Sequence, residues 1–271
     1  NDNLSISYYF SNLIHNEVLK FKILSNVLNY HQESKPQALK INEISNIVQN
    51  KFKGKKLKIS FCSSKNSWVN IFISELIIEL TTQGYSCLWV HSHKELIPCD
   101  ICFYLSYEKI VEKEVLSINK YNLVVHESDL PYGKGWSPLT WQIIEGKNKF
   151  PITLFEAKED VDSGDIYAQS TLEFDGSELY DELRNKQGKK TQELIYEFIR
   201  ELQSNSLVQK KQLGKESFYR KRNPEDSEID PNKSIQSQFN LIRTADSKNY
   251  PNFFTLHGTS YKITIEKQKN S

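Results

Sequence analysis

Apolar and polar residues along this chain fall into two regimes. Up to about residue 55 the apolar positions recur at helical spacing: Leu13, Val18, Leu19, Phe21, Leu24 and Val27, then Ile41, Ile44 and Ile47 after a polar break at Gln32 to Pro36. The lysine-rich stretch Lys51 to Lys56, with Gly54 inside it, reads as a linker. From Leu57 onward short apolar runs alternate with amphipathic stretches, as a parallel sheet with crossover helices requires. Strands are predicted at Leu57–Cys62, Tyr85–His91, Asp100–Tyr107 and Asn122–His126. Between them fall a helix over Val69–Gln83, stopped by Gly84, and a short helix near Lys113–Ile118.

Further along, Trp136–Glu145 reads as a helix entered at Ser137 and Pro138 and closed by Gly146. Two more strands, Ile152–Glu156 and Ile166–Phe174, flank a polar loop at Asp160–Asp165, and a long helix fits Ser177–Gln203 with Gly188 as its weak point. The last section changes character, with a hairpin predicted around His257-Gly258. The fold class is therefore α/β: a Rossmann-like, mostly parallel sheet with flanking helices, a small C-terminal α+β or β-rich appendage, and an N-terminal helical extension. The expected boundaries are 1–55 for the extension, 56–206 for the catalytic domain and 207–271 for the appendage.

Charge narrows the partners. Thirty-five Lys and Arg face 34 Asp and Glu, a formal net charge of +1, so no global field attracts a polyanion and nucleic acid is not an expected partner. No apolar run approaches the roughly 18 residues of a membrane span, and no basic-then-apolar leader opens the chain, so a cytoplasmic protein is expected. The chain has no methionine, position 1 included, which reads as a lost initiator or as part of something longer. Cys62, Cys87 and Cys102 sit in predicted strands and read as reduced core thiols. Cys99 and Cys102 form a Cys-x-x-Cys without the helix start of a redox pair, and His91 and His93 make poor zinc partners, so no metal is expected.

The candidate chemistry lies between Asn122 and Asp165. Strand Asn122–His126 delivers His126 to the carboxyl edge of the sheet, where open α/β folds bind ligands. The turn that follows, Glu127 to Gly135, is polar, and Gly133 and Gly135 leave backbone N–H groups available to an oxyanion or phosphate. Asp162 sits in a second edge loop, where Ser163 and Gly164 permit a tight turn. A histidine and a carboxylate on two such loops are suited to proton transfer. Each alone is also an ordinary structural residue, so order and spacing carry the argument.

The run from His126-Glu-Ser-Asp-Leu-Pro through Gly135-Trp-Ser-Pro and Pro151-Ile-Thr-Leu-Phe to Val161-Asp-Ser-Gly-Asp resembles the folate-dependent formyltransferase family, whose hallmark is His-x-Ser-Leu-Leu-Pro followed by Leu-Asp-x-Gly. Within that family the tryptophan-rich segment Gly133–Gln142 is similar to sugar-nucleotide N-formyltransferases, especially those of the pseudaminic acid pathway that act on a UDP-linked 4-amino-4,6-dideoxy-N-acetyl-altrosamine. Arg222-Asn-Pro-Glu-Asp-Ser in the tail resembles a segment of sugar formyltransferases. The resemblance covers about Leu57 to Lys267 and leaves residues 1–55 without a counterpart.

The resemblance implies N10-formyltetrahydrofolate as co-substrate and a nucleotide-linked amino sugar as acceptor, with UDP favoured and dTDP or GDP also open, for a bacterial surface glycan such as pseudaminic acid or an O-antigen. It makes His126 and Asp162 the catalytic pair. It places Ile110, Val111, Lys158 and Asp160 on the stretches that hold the pteridine, and Lys65, Ser67, Trp68 and Lys134 beside the phosphate-bearing substrate. One departure stands out. Relatives carry Asn two residues before the histidine to stabilise the developing oxyanion, but here that position is Val124, and Asn122 is roughly 7 Å further back at strand rise. His126 itself, Ser128 or a turn N–H remain as donors. Two other readings stay open: a methionyl-tRNA formyltransferase-like enzyme, against which the neutral charge and short tail count, and a catalytically inactive binding or assembly module. The N-terminal apolar positions also offer a surface for a homodimer.

Overall fold

The computed structural model describes residues 57–268. The predicted N-terminal helices and the Lys51–Lys56 linker lie outside the described residues. The described residues form two compact units, one running to Val124 and including Glu156–Glu159, the other comprising Val125–Phe155 and the residues from Asp160 onward.

In the first unit strands β1 (Lys58–Cys62), β2 (Ser86–Val90), β3 (Ile101–Tyr104) and the start of β4 (Tyr121–His126) pair in parallel. All but one residue of β1 and every residue of β3 are buried, the continuous apolar run expected of a strand covered on both faces. Helix α1 (Asn70–Thr82) joins β1 to β2 and buries Ile73, Leu76, Ile77 and Leu80. Gly84 at φ +89 ends it: its N–H reaches Thr81 O and that of Tyr85 reaches Leu80 O. The predicted strand Asp100–Tyr107 is shorter than its pattern. Ser106 takes a left-handed φ of +48, which breaks the extended run and starts the loop leading to α2 (Lys113–Leu116).

The second unit receives the end of β4 and contains the two-residue strand β5 (Lys134–Gly135), helix α3 (Pro138–Ile144), and strands β6 (Lys149–Glu156) and β7 (Ile166–Glu173), which pair antiparallel. The six long strands have the order β2-β1-β3-β4-β6-β7, the mostly parallel sheet that the pattern predicts. Helix α4 (Tyr180–Gln203) packs on β7 through Leu183, Gln187, Thr191, Leu194, Ile195 and Phe198, one stripe at helical spacing. Gly188, the predicted weak point, lies buried on that stripe and the helix runs through it.

After α4 come β8 (Phe218–Tyr219), a 3₁₀ turn at Pro224–Ser227, helix α5 (Ile235–Arg243), and the antiparallel hairpin β9 (Asn252–Leu256) and β10 (Thr259–Ile263). The hairpin turn is the predicted His257-Gly258, both residues at positive φ as a two-residue turn demands. Pattern reading does not anticipate β8: it pairs in parallel with β5 to make a separate two-stranded sheet. Among the described residues no helix is long and apolar enough to cross a membrane.

Candidate active site

His126, at the end of β4, and Asp162, in the loop between β6 and β7, both belong to the second unit and converge there. His126 Nε2 lies 3.7 Å from Asp162 Oδ2, and both side chains are close to nine-tenths buried. The same nitrogen stands 2.9 Å from the carbonyl oxygen of Gly133. A carbonyl can only accept, so Nε2 carries the proton and Nδ1 holds the lone pair of the neutral ring. Asp162 Oδ2 in turn accepts the N–H of Gly135 at 2.8 Å. One glycine of the turn therefore holds the imidazole and the other holds the carboxylate.

The turn is rigidly tied. Ser128 N–H bonds His126 O at 3.0 Å, Thr153 Oγ1 donates to Ser128 O at 2.7 Å, and Gln142 Nε2 donates to Glu127 O at 2.6 Å. Gln187 on α4 reaches the Glu127 carboxylate at 2.6 Å. The Leu130–Pro131 peptide is cis. Gly133 and Gly135 are glycines of necessity. Both have positive φ, and a Cβ would meet Ser128 Cβ at 3.0 Å in one case and the Tyr219 carbonyl oxygen at 2.4 Å in the other. Ser128 is fully buried and its hydroxyl has no hydrogen-bond partner among the described residues.

Strand β8 covers this turn. Lys134 N–H bonds Ser217 O and Trp136 N–H bonds Tyr219 O, each at 2.9 Å. Lys134, expected beside the phosphate-bearing substrate, is buried and its ammonium meets Glu216 Oε1 at 2.5 Å. A phosphate would have to displace that carboxylate. Burial, and then the Glu145 carboxylate to which its hydroxyl donates at 2.9 Å, hold the Tyr219 phenol protonated far above its ordinary range. Its ring stacks on Trp141, and the Arg220 guanidinium lies 4.9 Å over the Trp141 ring centre.

Most of the other expected ligand residues lie in the first unit. Ile110 is 70% exposed, an unusual setting for isoleucine, while Val111 is half-buried against the cluster of Cys62, Val90, Leu96, Cys102 and Tyr104. Neither residue's backbone makes a hydrogen bond to any described residue, which leaves both able to bond a ligand ring. Lys65, Ser67 and Trp68 occupy the loop after β1, which buried Asn70 shapes by donating to Ser64 O and Lys65 O. Lys65 is exposed, and Trp68 packs edge-on against Phe72. Lys158 is exposed in the first unit and Asp160 in the second.

The departure at Val124 has a structural counterpart. Val124 packs against the same apolar cluster as Val111. Asn122 is buried and committed: Nδ2 donates to Leu116 O at 2.8 Å, and Oδ1 accepts from Asn119 Nδ2 at 3.0 Å and Tyr104 OH at 3.3 Å. It braces the strand and does not stand in for the missing amide. Residues that sequence reasoning missed are Gly133 as carbonyl acceptor and, on the far side of the chain, Gln212 and Ser217. No side-chain pattern marks the first, and the other two are ordinary polar residues in a loop.

Comparison with known proteins bears on the family and the fold. A family model described as formyl transferase matches residues 9–199, beginning well ahead of Leu57 and so extending into the stretch that the motif resemblance leaves without a counterpart. The methionyl-tRNA formyltransferase from Clostridium thermocellum superposes with a TM-score of 0.65 at 23% identity, covering 79% of this chain and 94% of that one. HypX from Aquifex aeolicus, in complex with tetrahydrofolic acid, gives 0.63 at 18% identity over 76% of this chain, but only 37% of HypX. A sugar N-formyltransferase from a Shewanella species gives 0.57 at 15% identity, covering 79% of this chain and 99% of that one. At these identities the likeness is one of fold. The family match over most of the chain makes it a member of the formyl transferase family, enzymes that draw their formyl group from N10-formyltetrahydrofolate.

Proposed function

We propose that this enzyme formylates the amine of a nucleotide-linked amino-dideoxy sugar, UDP-linked by preference, in the cytoplasm, for a bacterial surface glycan of the pseudaminic acid or O-antigen kind. The observation that carries the chemistry is the approach of His126 and Asp162 across a turn whose two glycines hold one group each. The tryptophan-rich wording of Gly133–Gln142 and the near-neutral charge support a sugar acceptor over a tRNA, while the fold likeness extends to enzymes of both kinds and does not choose between them.

The donor supplies a formyl group activated on nitrogen, and the free backbone of Ile110 and Val111, with Lys158 and Asp160, suits its pteridine. Lys65, Ser67 and Trp68 are assigned to the nucleotide side, and Lys134 joins them only by exchanging Glu216 for a phosphate. The acceptor amine must be neutral to attack and must then lose a proton. His126 takes it at Nδ1, because Nε2–H is held by Gly133 O, and the proton is returned to N10 as the formyl carbon–N10 bond breaks and tetrahydrofolate leaves. The resulting imidazolium is stabilised by the Asp162 carboxylate beside Nε2. With Val124 in place of an amide, and with the Gly133 and Gly135 N–H groups taken by Ser217 and Asp162, oxyanion stabilisation falls to protonated His126 or the Ser128 hydroxyl.

The test is tetrahydrofolate release from N10-formyltetrahydrofolate with a panel of UDP-, dTDP- and GDP-linked amino sugars and with methionyl-tRNA. Turnover is expected with an amino sugar and not with tRNA, and His126→Ala should lower kcat roughly 10²- to 10⁴-fold. Turnover on tRNA alone, or none on any acceptor, overturns the reading in favour of the tRNA enzyme or the binding module.

A further inference from the structure

The geometry points to Gln212 and Ser217 as positioning residues for the catalytic pair, carried on a segment, Lys210–Arg220, that begins beyond residue 199 where the family match ends. This rests on the assignment of His126 and Asp162 made above. Ser217 Oγ accepts the N–H of Gly133 at 2.8 Å, and Gly133 O is the acceptor for His126 Nε2 at 2.9 Å. The hydroxyl thus fixes the peptide that orients the imidazole and selects its tautomer. Gln212 does the same for the carboxylate. Its Nε2 donates to Asp162 O and to Gly164 O, each at 2.8 Å, clamping a turn that opens on Asp162 at a φ of +51. A left-handed aspartate is strained unless its surroundings hold it. Gln212 Oε1 is buried without a partner among the described residues, so these two bonds are all that the amide makes to them.

Three further contacts anchor the segment around both residues. Ile166 and Lys210 exchange backbone hydrogen bonds at 2.6 and 2.8 Å. Glu216 neutralises buried Lys134, and β8 pairs with β5. The segment's own surface is poorly buried, with Leu213 85% and Phe218 63% exposed, so its order comes from these polar ties and not from a core of its own.

The test separates positioning from folding and from the identity of the acceptor. Long-range proton–nitrogen NMR of the imidazoles should show His126 in the wild type as one tautomer, protonated at Nε2. Ser217→Ala should give a mixture of tautomers, and Ser217→Thr, which keeps the hydroxyl, should restore the single form. In turnover, Ser217→Ala and Gln212→Ala should each lower kcat roughly ten-fold with KM for the acceptor unchanged. Ser217→Ala should add nothing in a His126→Ala background, nor Gln212→Ala in an Asp162→Ala background. If Ser217→Ala does not fold, Ser217→Cys takes its place. A fixed tautomer in Ser217→Ala, or losses that multiply with those of His126→Ala and Asp162→Ala, overturns the inference. A tautomer shift in a protein that formylates no sugar leaves the positioning intact and removes only the proposed acceptor.

Discussion

Asp162 approaches His126 on the nitrogen that already donates to Gly133, 3.7 Å from Oδ2 to Nε2, and not on the nitrogen left free for a proton. The carboxylate therefore serves as a fixed negative charge beside the ring and as the acceptor of Gly135 N–H. Asp162→Asn keeps an oxygen for Gly135 and removes the charge. It should lower kcat by roughly 10²-fold or more while leaving the thermal midpoint near that of wild type. Equal kcat in steady-state assays would sink the electrostatic role.

Gly135 combines a φ of +96 with a site where any Cβ stands 2.4 Å from the Tyr219 carbonyl oxygen. Gly135→Ala should destabilise the protein by roughly 3 kcal/mol in urea titrations, because backbone strain and a backbone clash add. Gly146, at φ +89 with nothing near its Cβ position, is the control. Gly146→Ala carries the strain alone and should lose about 1 kcal/mol. Equal losses at the two positions would show that the Tyr219 contact relaxes freely.

Arg243 is fully buried beneath the loop that precedes α4. Its guanidinium lies 3.6 Å from Glu178 Oε2 and donates to Asn148 Oδ1 at 2.7 Å. The Glu178 carboxylate, also buried, holds the N–H groups of Asp175 and Gly176 and the Lys186 ammonium. Arg243→Met strands that carboxylate with one cation in place of two and should cost roughly 3 kcal/mol. Adding Glu178→Gln should recover part of the loss, since the uncompensated charge goes with it. A double variant that loses the sum of both single losses would refute the coupling.

Thiol reactivity should differ sharply along the chain. Burial pushes Cys62 and Cys87 up to about 12, and burial likewise raises Cys102. Cys99 is half-buried, and the hydrogen bond from Cys102 draws it below its ordinary value. A lowered pKa means more thiolate at a given pH, so native labelling with iodoacetamide at pH 8 should modify Cys99 first, with the others reacting only in denaturant. Mass mapping that finds Cys62 or Cys87 labelled as fast as Cys99 would contradict this.

Legibility in the sequence tracks how locally each feature is encoded. The buried runs of β1 and β3 and the apolar stripe of α4 announce themselves, because periodicity is local and burial is sustained. Helix α5 goes unread: its apolar positions Ile235, Phe239, Leu241 and Ile242 sit among Gln, Ser and Asn, and its role is set by Arg243 reaching Glu178. His126 and Asp162 are visible through motif spacing. Gly133 as the acceptor for the imidazole is not, because every residue has a carbonyl. Lys134 reads as a free cation until Glu216, 82 positions away, is seen beside it. Asn122 reads as a spare amide until its three bonds are counted.

Strand β8 also sets a timetable. Gly133 and Ser217 are separated by 84 positions, so a nascent chain exposes the imidazole and the carboxylate well before the strand that pairs with their turn leaves the ribosome. Such a half-synthesised polypeptide owns both reactive groups without the partner that arranges them. The paired turn then forms only once Ser217 and β8 have emerged and docked onto a segment made 84 positions earlier.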